Sequence, residues 1–79
     1  MDVFINSKVF NPKLSGKAIR INGFDMDGEH YNRLFLVKDV NGEYISLINC
    51  QGHLIKDLNI ENFEHSDDAL KITILEEEE

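Results

Sequence analysis

The sequence predicts an all-β domain, a small antiparallel meander with no long helix. Three observations carry this. From Arg33 to Ile55 the chain reads RLFLVKDVNGEYISLINCQGHLI, in which Leu34, Phe35, Val37, Tyr44, Ile45 and Ile48 form short apolar blocks of strand-favouring type. The blocks are separated by Asp39-Val40-Asn41-Gly42 and Asn49-Cys50-Gln51-Gly52, and Asp25-Met26-Asp27-Gly28 is a third copy of the same form. Asp/Asn-x-x-Gly suits a type I turn closed by a glycine at positive φ, so Gly28, Gly42 and Gly52 are expected there. Finally, no stretch carries apolar residues at helical spacing over the length of an ordinary helix.

The turns fix expected registers. A type I turn with a glycine bulge pairs its first residue with the one after the glycine. Asp25 then faces Glu29 and Ile19 faces Phe35; Asp39 faces Glu43 and Phe35 faces Leu47; Asn49 faces His53 and Leu47 faces Ile55. One apolar row, Ile19, Phe35, Leu47, Ile55, crosses the strands. The other face reads Arg20, Leu34, Ile48, Leu54. Two-residue turns at Asn41-Gly42 and Gln51-Gly52 are the alternative. Both faces are apolar at their centre, so a second layer or a partner is required.

Taken in order, Asp2 to Phe10 alternates loosely as a strand that Asn11-Pro12 ends. Lys13 to Gly16 is a loop. Lys17 to Phe24 is the first meander strand, with Gly23 marking a bulge or a close backbone approach. Asn32 to Asp39, Glu43 to Asn49 and Gly52 to Lys56 follow. Leu58 to Phe63 fits a single 3₁₀ turn, with apolar spacings of two and three. Glu64 to Asp68 is polar loop, and Leu70 to Leu75 is a last strand with Leu70, Ile72 and Ile74 on one face. Residues 1–75 form a single domain, and Glu76 to Glu79 an acidic tail expected to be solvated.

The order of a four-strand meander, a short 3₁₀ turn and one closing strand resembles the SH3-like small barrels over Lys17 to Leu75. The resemblance is one of fold alone. It implies a strongly bent, partly open barrel, with the N-terminal strand or a partner covering what remains. The structural alternative is an open sheet whose second face is buried in a dimer. The aromatic-rich groove of peptide-binding SH3 domains is not evident, since the chain has no Trp and only Tyr31 and Tyr44 as tyrosines.

Seventy-nine residues allow one small core. No run of about 18 apolar residues exists, so no membrane span is expected, and MDVFINSKVF lacks the layout of a signal peptide. Cys50 is the lone cysteine, which points to a reducing cytoplasm. Eight Asn and nine Ile point to an AT-rich coding sequence, as in a low-GC bacterium or its phage.

Charge is unevenly spread. Residues 1–56 carry seven basic and six acidic side chains, whereas residues 57–79 carry nine acids against Lys71 alone, within a net charge of −7. Such a segment repels phosphate, which disfavours nucleic-acid binding unless the basic residues cluster elsewhere. Acidic loops also simply keep small proteins soluble. The sharper reading is a surface for a basic protein.

Chemical constellations are weak. Asp25-x-Asp27-Gly28-Glu29 resembles the start of a calcium loop, but the glycine falls at position 4 rather than 6, so a plain turn is expected. His30, His53 and His65 lie in separate segments with no metal-ligand spacing. Cys50 has no neighbouring base in sequence to make it a nucleophile. No catalytic residue, cofactor or metal is therefore expected.

Two function classes remain. The first is a non-catalytic protein-binding domain, an inhibitor or regulator of a basic, nucleic-acid-handling partner. Its contacts would come from the acidic Glu61, Glu64, Asp67 and Asp68 or from the apolar Leu34, Leu36, Tyr44 and Ile48. The second is a nucleic-acid-binding barrel, with Lys17, Arg20, Arg33 and Lys38 on phosphates and Tyr31 or Phe24 stacking on bases.

Overall fold

The computed structural model describes residues 2–5 and 9–75. All of its regular structure is strand or 3₁₀ turn. Short strands β1 (Phe4–Ile5) and β2 (Val9–Phe10) pair antiparallel. A 3₁₀ turn, Pro12–Leu14, follows; Asn11 caps it by accepting the Lys13 N–H at 3.0 Å, and Pro12 needs no donor there. The main sheet is β3 (Ala18–Phe24), β4 (His30–Asn41), β5 (Tyr44–Asn49), β6 (Leu54–Asn59) and β7 (Lys71–Ile74), in spatial order β6-β5-β4-β3-β7. A second 3₁₀ turn, Ile60–Phe63, separates β6 from β7 and is capped by Asn59. Among the described residues no helix is long and apolar enough to cross a membrane. The acidic tail, Glu76 to Glu79, lies outside the described residues.

Two of the three turns form as their sequences dictate. Asp25 and Asn49 each accept two backbone N–H groups on one side-chain oxygen, from Asp27 and Glu29 and from Gln51 and His53, all at 2.9 Å. The calcium-like Asp25 is thus occupied within its own turn, and the registers Ile19↔Phe35 and Leu47↔Ile55 follow.

The middle turn differs. Asn41 pairs with Tyr44 across a two-residue loop, Gly42-Glu43, in place of the four-residue turn or the Asn41-Gly42 loop. Gly42 has φ +62°, while Glu43 is not among the positive-φ residues, the pattern of a type II′ hairpin. Asp39 therefore faces Ser46, three residues beyond the expected Glu43, and Lys38 is extruded as a bulge. Below the bulge Phe35 faces Asn49 rather than Leu47, a shift of two. This even shift keeps Arg33 to Val37 on their expected faces, so the same residues build the core; above the bulge the shift is odd, and Val40 turns to the core in place of Asp39.

The inner face carries Ile19, Ile21, Phe35, Val37, Ile45 and Leu47. It is covered by Phe10 of β2, Leu14 of the first 3₁₀ turn, Ile60 and Phe63 of the second, and Leu70. Partner elements are tied on by main chain: Phe10 N–H to Gly42 O at 2.9 Å and Ile60 N–H to Glu43 O at 2.8 Å. The sheet does not close into a barrel. β6 and β7 are its two edges, and no pairing joins them among the described residues. The cause lies in β6. Ser46 faces two residues, Lys56 and Asp57, and Asp57 sits at φ +57°. That bulge bends β6 into the second 3₁₀ turn, which carries the chain across the inner face to the far edge. Covering elements fill the space that closure would have filled.

Gly23 marks a close backbone approach. At φ +133° a Cβ there would overlap the Ala69 carbonyl, where Phe24 bridges Ala69 in parallel. Gly42 has open space around it, so a side chain there meets backbone strain alone. Gly42→Ala is expected to cost about 1–2 kcal/mol, and Gly23→Ala to add roughly 1–3 kcal/mol of overpacking to comparable strain. Urea denaturation checks the ranking; equal losses would contradict the close approach.

Candidate functional site

Strand alternation that buries Ile19, Phe35 and Leu47 turns their neighbours outward. The pairings Ala18↔Leu36, Leu36↔Ile48 and Ile48↔Leu54 align a single apolar row across β3, β4, β5 and β6. Leu34 extends it, lying opposite Arg20. Leu34, Leu36 and Leu54 are 39%, 46% and 50% exposed. No element among the described residues lies over this outer face, because every covering segment packs on the inner one.

Two adjoining depressions mark the row. One, about 220 Å³, is lined by Ala18, Leu34, Leu36, Ile48 and Cys50. The other, about 280 Å³, is lined by Arg20, Asn32, Arg33, Asn49 and Gln51 with Leu34 and Cys50. Leu34, Asn49 and Cys50 line both. Arg20 Nη1 donates to Asn32 Oδ1 at 3.3 Å. Cys50 is exposed, its Sγ 3.7 Å from the Leu34 carbonyl oxygen. Neither depression is lined by a carboxylate, although Glu29 and Arg33 share a smaller neighbouring one of about 80 Å³.

The acidic residues lie elsewhere. Glu61 and Glu64 line a cavity of about 250 Å³ with Met26 and His65. The β3–β4 turn is tied to this region: Met26 N–H donates to Asn62 Oδ1 at 3.0 Å, Phe24 N–H to Asp68 O at 2.8 Å, and the His65 ring meets Phe24 O at 2.9 Å. Asp25, Asp27 and Glu29 therefore join Glu61, Glu64, Asp67 and Asp68 at one acidic end. Its field is felt by Tyr31, whose hydroxyl is held above its usual pKa by burial first and then by Asp25 and Glu29, with Arg33 opposing.

Of the sequence-chosen apolar residues, Leu34, Leu36 and Ile48 come together, whereas Tyr44 sits at the far end of the face between Asn41 and Asn59. Of the four cations, Arg20 and Arg33 share a depression; Lys17 lines neither and Lys38 occupies the bulge. Sequence reasoning did not single out Ala18, Asn32, Asn49 or Gln51. The corrected β4–β5 register is the signal that would have found Ala18. Among the described residues no three His, Cys, Asp or Glu side chains converge as a metal site.

No family model, curated protein or solved structure matches the chain.

Because the outer row is solvated, Leu36→Gln is expected to leave stability within roughly 0.5 kcal/mol of the parent. Leu47→Ala, on the buried face, should lose about 2–5 kcal/mol. Chemical denaturation of both variants checks this; a large loss from Leu36→Gln would mean that the outer face is covered.

Proposed function

We propose that this protein is a non-catalytic binding domain that docks on another protein, as an inhibitor or regulator of a basic, nucleic-acid-handling partner. The observation that carries the reading is the uncovered apolar row Ala18, Leu36, Ile48, Leu54. A small sheet gains nothing in its own stability from solvated leucines, while a contiguous exposed apolar patch is a common mark of interaction sites. The acidic end adds long-range attraction for a basic protein, screened over about 8 Å at physiological ionic strength. The SH3-like likeness of strand order agrees with a binding role, and a lone exposed Cys50 suits a reducing cytoplasm.

A second reading, single-stranded nucleic-acid binding, is favoured by one observation. Arg20 and Arg33 line one depression, and the Phe24 and His30 rings lie 5.0 Å apart, tilted by 44°, on the same sheet, aromatic surface of the kind on which bases stack. The acidic end opposes it.

Partner capture from lysate, followed by kinetics with the captured protein, tests the first reading. Leu36→Asp is expected to abolish binding. Reversing Glu61, Glu64, Asp67 and Asp68 to lysine should slow association far more than it speeds dissociation. Oligonucleotide binding at physiological ionic strength that survives Leu36→Asp would replace this reading with the second.

A further inference from the structure

The apolar depression and the arginine depression are two halves of one groove, joined through Leu34, Asn49 and Cys50. Their chemistry is unlike the rest of the molecule. In a chain of net charge −7, this groove is lined on its outer side by Arg20, Asn32, Gln51 and aliphatic residues, with no carboxylate. Arg33 borders it, but its register opposite buried Ile21 turns its side chain to the other face, with Phe35. Among the described residues neither arginine is in an ion pair; Arg20 has only the Asn32 amide at 3.3 Å.

We infer that the groove accepts an extended segment of a partner protein bearing an acidic side chain two residues from an apolar one. This rests on the protein-binding reading above and names what that surface recognises. The spacing follows from β4. Leu34 lies level with Arg20, and Leu36 level with Ala18 and Ile48. Residues i and i+2 of a strand stand on one face about 6.6–6.8 Å apart. An extended ligand along β4 repeats that distance between its own i and i+2 side chains. Its carboxylate then lies beside Arg20, and its apolar side chain over Leu36, Ile48 and Ala18. Guanidinium groups suit this role, because their planar fork meets a carboxylate with paired, charge-assisted hydrogen bonds. An overall basic partner is compatible, since the acidic end meets its bulk charge while the groove reads one local motif.

The test is selection of a random linear peptide library displayed on phage against the whole chain, followed by fluorescence anisotropy with a selected synthetic peptide. Enrichment of Asp/Glu-x-aliphatic or Asp/Glu-x-aromatic sequences is expected. Arg20→Gln should weaken the peptide about tenfold. Arg33→Gln, at a side chain that stands on the opposite face, should leave binding unchanged. Replacing the peptide's acid by its amide should weaken it as Arg20→Gln does. The Arg20→Gln variant should then show little further response to that replacement. Leu36→Asp should abolish binding. Selected peptides without an acid, or binding indifferent to Arg20→Gln but lost in Leu36→Asp, would overturn the inference while leaving the protein-binding reading standing. Failure to enrich any peptide, with oligonucleotide binding lost in Arg20→Gln, would overturn both.

Discussion

Phe10 and Phe63 meet edge-on at 5.4 Å between ring centroids, and the arrangement of the whole chain turns on that contact. Phe4 completes the cluster, 5.5 Å from Phe10 and 6.4 Å from Phe63. One ring belongs to the N-terminal hairpin and the other to the 3₁₀ turn between β6 and β7. A single open sheet cannot bury its apolar face by itself. Here the face is sealed by two segments distant in sequence, locked together by aromatic rings worth about 0.5–1.5 kcal/mol per pair beyond their buried area. With the seal on one side, the chain has no segment among the described residues to lay on the other. The uncovered outer row is thus a consequence of how the core is closed.

Much of this was legible in the residues. Strand periodicity separated the inner set, Ile19, Phe35 and Leu47, from the outer set, Leu34, Ile48 and Leu54, because a period of two is insensitive to even shifts of register. Turns with an Asp or Asn at the first position announced themselves, since that side chain is the acceptor that closes them. The Asn41-Gly42 region did not. Its turn residues fit several loop lengths, and the choice fell to long-range contacts, with Phe10 N–H bonded to Gly42 O and Ile60 N–H to Glu43 O. Closure into a barrel failed for a similar reason. Nothing local in Lys56-Asp57 announces a non-glycine residue at φ +57°, yet that bulge sends the chain across the core. Candidate site residues followed the same division. Leu34, Leu36 and Ile48 were readable as an outward set, whereas the approach of Asn32 and the Asn49–Gly52 turn to Arg20 appears only once the strands are laid side by side.

Two surfaces of opposite chemistry result from one asymmetric layout. The β3–β4 turn and the segment after the second 3₁₀ turn bring their carboxylates to one end, held by the Asn62 amide and the Asp68 carbonyl. The outer face keeps Arg20 beside Leu34 in a depression whose lining holds no carboxylate. A domain so divided can draw a partner by long-range charge at one place and read it by contact at another. In the binding role proposed for it, such a separation would assign rate of association to one set of residues and lifetime of the complex to the other.

Everything functional rests on the outer row being bare in the free chain. The most direct measurement is solvent paramagnetic relaxation of methyl groups in the isolated protein, with a soluble gadolinium chelate. Methyls of Leu34, Leu36, Ile48 and Leu54 should relax strongly, and those of Ile19, Ile45 and Leu47 weakly. Protection of Leu36, Ile48 and Leu54 to the level of Leu47 at low protein concentration would show the face already covered, and would contradict a docking role for it.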